Sequence, residues 1–194
     1  MQQQSNFSPD ESLKLIRAMI GKAKSEFTDN AFYFLMWGWL VLASALLQYV
    51  LFVWIKVNWH YMAWLLIVPA IVYTIFRSTR DASKRKVTTY IDESIGALWQ
   101  GIGISFNALM AIFFIIGWQQ AYPFFILMYG IGTFISGGII RFKPLQVGGA
   151  LCWVLAVLTA LLPYAEQILM LALAILISYL IPGYLLKKQG RQTK

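Results

Sequence analysis

Charge is scarce in this 194-residue chain: Asp, Glu, Lys and Arg together make up 12% of it, where a soluble domain carries about 25%. Cysteine and histidine are scarcer still, with Cys152 and His60 the sole examples. A lone cysteine excludes an intrachain disulfide and a cysteine metal site. A lone histidine leaves a protein metal centre, which needs three or four ligands, short of donors. Serine–histidine chemistry would require a serine at the depth of His60, and Ser44, Ser105, Ser136 and Ser178 are expected deeper in the membrane or on the opposite side. No Gly-rich phosphate loop ends in a Lys-Ser or Lys-Thr pair. Ionisable residues in mid-membrane, the mark of pumps and transporters, are also missing from the apolar runs. Polar and acidic residues precede the first apolar run, so no cleavable signal peptide is expected. These absences point away from an enzyme and call for no cofactor, no metal and no catalytic residue.

What is present is apolar surface. Hydrophobic residues make up 59% of the chain and mean hydropathy is +0.64, with runs long enough to cross a bilayer recurring along most of the length. One long polar stretch, Arg77–Glu93, interrupts them, carrying Arg77, Arg80, Lys84, Arg85 and Lys86. It reads as a loop between spans, and short loops rich in Lys and Arg stay cytoplasmic. Spans are expected over residues 31–55, 59–76, 95–117, 122–140, 145–162 and 168–186, with Pro69 kinking the second. Each return to the basic side ends in Lys or Arg, and only Lys56 of the 16 basic residues falls on the other side. The net charge of +8 is therefore a topogenic bias facing anionic headgroups, not a nucleic-acid groove. Tryptophans and tyrosines at 54, 59, 118, 122 and 164 mark the outer boundary.

The expected fold is all-α: a polytopic membrane protein of six transmembrane helices preceded by a cytoplasmic amphipathic helix. Residues 1–30 form a cytoplasmic segment, 31–186 the membrane domain and 187–194 a basic tail. Ser8-Pro9-Asp10-Glu11 starts the first helix with a capping box. Leu13, Ile16, Ile20 and Phe27 then share one apolar face, suited to lying in the interface. A protein partner at the cytoplasmic face is the alternative occupant of that stripe. Both termini come out in the cytoplasm of a bacterial inner membrane.

Helices in lipid associate through small residues. The third span carries Ala97, Gly101 and Ser105 at i, i+4 and i+8, and the fifth carries Gly148, Cys152 and Ala156 at the same spacing. With the glycine-rich fourth span, these ridges predict a packed centre of spans three, four and five. Amides in the membrane must find partners, so Gln48, Gln100 and Asn107 are either interhelical hydrogen bonds or the lining of a polar cavity.

The runs AKSEFTDNAFYFLMWGWLVLASALLQYVL, GIGTFISGGIIRFKPLQVGGALCW and ISYLIPGYLLKK resemble a group of small bacterial six-span membrane proteins without an assigned activity. Genes of that group lie beside winged-helix regulators, which implies sensing or signalling but brings no functional residues. A looser likeness in size and helix count is to the six-span substrate-binding subunits of vitamin and metal uptake transporters. The expectation is thus a sensor or scaffold contacting lipid or protein, with a homo-oligomer as one form. The alternative is a small transporter or solute-binding subunit.

Overall fold

A computed structural model of the protein describes residues 31–84 and 90–192, all of whose regular structure is helical. The amphipathic face of Leu13, Ile16, Ile20 and Phe27 lies outside the described residues. Helix α1 runs Ala31–Trp54, its last turn, Val50–Trp54, in π geometry. After Lys56 in the left-handed region (φ 59°), a 3-10 stretch, His60–Leu66, leads into α2, Ile67–Lys84. Then come α3, Tyr90–Ile116, α4, Ala121–Ile139, and α5, Lys143–Thr159. The last rod is α6, Tyr164–Ile175, a π turn, Leu176–Leu180, and α7, Ile181–Gln192. Five of these helical segments are long and apolar enough to cross a membrane, α5 being the shorter apolar exception. This is an all-α protein of the membrane class.

The polar stretch at 77–93 is mostly helix rather than loop. α2 runs on to Lys84 and α3 begins at Tyr90, because Arg77–Lys84 contains neither glycine nor proline to stop the backbone ladder. Thr79 donates its hydroxyl back to the Ile75 carbonyl at 3.0 Å, consistent with the same helix continuing. The last rod likewise runs past residue 186, through the start of the basic tail.

Prolines accompany two of the three departures from α geometry, the 3-10 stretch before α2 and the π turn in the last rod, while the π turn ending α1 has none near it. Pro69 has no N–H for the carbonyl four residues back, and the chain meets it just after a 3-10 opening in which Ile67 N–H is already shared between the Trp64 and Leu65 carbonyls. The expected kink is therefore a change of helix type, completed before Pro69. Pro182 follows the π turn, where Ile181 N–H reaches back to Leu176. Widening there relieves the clash between the proline ring and the preceding turn. At the end of α4, Arg141 takes φ 55°, with Phe142 N–H bonding Gly137 and Arg141 N–H bonding Gly138. That is a Schellman stop, which turns the chain directly into α5.

The helices alternate in direction, and the tightest seam joins α4 to α5. A Cβ on Gly149 would sit 2.6 Å from Phe134 N and 2.8 Å from Gly130 O, and one on Gly137 would sit 2.7 Å from Gln146 N. Gly148 brings α5 equally close to the π turn, with Ile177 O 3.0 Å from its missing Cβ. A second seam joins α1 to the last rod: Gly38 faces Tyr179 and Leu180, and Gly183 faces Leu35 and Phe34. The centre is therefore α4, α5 and the α6–α7 rod, closed by α1, rather than spans three to five. α3 leans on α4 through Trp99 and Ile102, which crowd Gly132, and through stacked Phe106 and Phe125. Within the membrane-length windows of α2 and α3 only 11% of residues are buried, against 56% in the last rod.

Candidate functional site

A polar side chain with four side-chain partners lies at the Lys56 end of the bundle, in a layer of aromatic rings. Gln48, on α1, is 1% exposed. Its Oε1 accepts a hydrogen bond from Trp64 Nε1 at 2.6 Å and another from the Tyr122 hydroxyl at 2.6 Å. Its Nε2 donates to the Tyr164 hydroxyl at 3.3 Å and pairs with His60 Nδ1 at 3.2 Å. Gln48 is the donor there, so the ring is neutral with its proton on Nε2. A primary amide offers two donors and two acceptor positions, and here all four are filled by protein.

The four partners arrive from three parts of the chain. His60 and Trp64 stand one turn apart in the 3-10 stretch before α2, Tyr122 opens α4 and Tyr164 opens α6. Phe52 packs its ring edge against His60 and Tyr164, with centroids 4.8 and 5.3 Å away. Tyr122 and Tyr164 lie 5.5 Å apart. Gln167, also 1% exposed, caps this layer by donating to the Leu162 carbonyl at 2.9 Å and to Gln120 at 3.4 Å. The amide thus ties α1, α2, α4 and α6 together at one end. Its coordination is saturated.

The other two sequence candidates do not join it. Gln100 and Asn107 are exposed on α3, and Asn107 Nδ2 donates back along its own helix to Gly103 O at 2.8 Å. Of the small residues, Gly148, Cys152 and Ala156 are buried, with Cys152 Sγ 3.8 Å from Ala174 O across the seam to α6. Ala97, Gly101 and Ser105 are exposed, and a Cβ on Gly101 would meet nothing within 4 Å. Helical spacing puts them on one face, but that face turns outward in the single chain.

Sequence reasoning assigned Tyr122 and Tyr164 to the outer boundary and missed them, with His60 and Trp64, as partners of Gln48. The signal available was depth: their polar tips fall at the level of the one amide near the outer end of α1. Gln167 and the Gly38–Gly183 approach were missed as well. Among the described residues no three His, Cys, Asp or Glu side chains group as metal ligands do. The buried oxygens left without a partner there are Ser44 Oγ, Ser136 Oγ, Gln167 Oε1 and Tyr179 OH. No known protein family matches this chain, and neither a curated protein nor a solved structure is detectably similar to it.

Proposed function

We propose that this protein is a non-enzymatic, multi-pass membrane scaffold or sensor that works by contact, with α3 as the face offered to a partner's transmembrane helix. In this reading all six helices cross a bacterial inner membrane, both termini are cytoplasmic, and residues 1–30 lie along the inner leaflet. The observation that carries the proposal is the outward face of α3, where Gln100 and Asn107 flank exposed Ala97, Gly101 and Ser105. Amides turned to lipid are costly, and small residues there leave a groove that side chains of another helix can fill. A solute-binding role would need the three amides around one cavity, and Gln48 is already fully bonded at the far end of α1.

A photoreactive residue placed at Gly101, in the full chain within its native membrane, tests this. A protein adduct is expected, its mass distinguishing a second copy from a different partner. Asn107→Leu should reduce the adduct at least threefold with an unchanged melting temperature, since the monomer loses only a bond within one helix. Adducts with lipid alone would refute the proposal.

A further inference from the structure

A groove of about 790 Å³ opens between α1, the end of the 3-10 stretch and α7, within the range of roughly 300–1,000 Å³ common for small-molecule sites. Its wall is apolar, formed by Phe32, Leu35, Trp39 and Ala43 of α1, Leu66 before α2 and Tyr184 of α7. Trp39 Nε1 donates to the Tyr184 hydroxyl at 3.1 Å, so the indole N–H in that wall has its acceptor. From Phe32 to Ala43 the groove follows α1 for about 16 Å at about 1.5 Å per residue. That depth is close to one leaflet, half of a hydrocarbon core of about 30 Å.

The chemistry changes at one end only. Lys187, exposed at the surface, closes the groove beside Phe32. The Arg77 guanidinium stacks 4.0 Å from the centre of that same Phe32 ring. An apolar slot one leaflet deep, with a lysine in its lining at the mouth, matches a molecule with an acyl tail and a net-negative head.

We propose that this groove binds an anionic phospholipid, its acyl chain along Phe32–Ala43 and its phosphate at Lys187. The bound lipid comes from the leaflet at the basic ends of the helices. Zwitterionic lipid brings its own ammonium to the mouth and gains less from the lysine there. Nothing in this site involves α3, so it stands or falls separately from the partner-helix reading.

The test uses the full chain in phosphatidylcholine vesicles carrying a trace of phosphatidylglycerol with a diazirine in its acyl chain. After illumination, label is expected on peptides containing Leu35–Ala43 and Leu66. Unlabelled phosphatidylglycerol should compete it away where the same amount of phosphatidylcholine does not. Lys187→Gln, a surface change, should cut labelling roughly fivefold, the effect of losing one basic residue near a headgroup. Ala43→Trp, which fills the deep end, should abolish it. Equal competition by phosphatidylcholine, or undiminished labelling in Lys187→Gln, would overturn the assignment.

Discussion

A buried glutamine in a membrane bundle destabilises it until every hydrogen-bonding position on the amide is filled. Gln48 meets that condition with four side chains, two of which, Trp64 Nε1 and Tyr122 OH, donate at 2.6 Å. Gln48→Leu removes both acceptor positions and strands those donors. Membrane hydrogen bonds are individually modest, so stability should fall by about 2 kcal/mol in total. Unfolding in mixed detergent micelles measures this, and an unchanged midpoint would mean the cluster holds nothing together. Gln48 itself was legible in the sequence as the amide of the first span. Its partners were not, because aromatic residues near a membrane boundary serve as interfacial anchors or as hydrogen-bond donors without any difference in spacing.

Helices show the same division between what periodicity tells and what it leaves open. The spacing of Ala97, Gly101 and Ser105 matches that of Gly148, Cys152 and Ala156, yet the second set is buried and the first exposed. Glycine substitutions separate the two. Gly149→Ala pushes a methyl against the α4 backbone, where Phe134 N is 2.6 Å away, and neither helix can yield cheaply. A loss of about 1–3 kcal/mol is expected. Gly101→Ala meets open space and should leave stability unchanged or raised by up to about 1 kcal/mol from helix propensity. Thermal melts of the purified monomer check both, and destabilisation by Gly101→Ala would place another element against α3 within the chain. Spacing assigns residues to a common face; it carries no term for which neighbour that face meets.

At the scale of the whole molecule, the charge pattern and the antiparallel packing bear on one question. Arg77, Arg141, Lys143 and Lys187 stand in or beside the helix halves that alternate direction brings to one side, opposite Lys56 and Glu166. If basic ends stay cytoplasmic, a reporter active only in the cytoplasm works when fused after Lys194 and fails after Asn58 or Gln120. Activity after Asn58 would invert the arrangement or remove a span.

The amino-acid sequence by itself determined the helical class, the approximate limits of the apolar segments and the bias of charge along them. Those properties are local: hydropathy and helix propensity act over a turn or two of backbone, and charge is counted loop by loop. Even so, the stretch at 77–93 was read as a loop for its polarity, although polarity alone does not break the ladder that carries α2 to Lys84. Only the tertiary structure decided that α3 lies at the edge, that Gly38 and Gly183 let α1 meet the last rod, and that Gln48 finds Tyr122 and Tyr164. Such pairings depend on which helix faces can approach within van der Waals distance, and residues 74 and 116 positions apart in the chain leave no periodic trace of that choice.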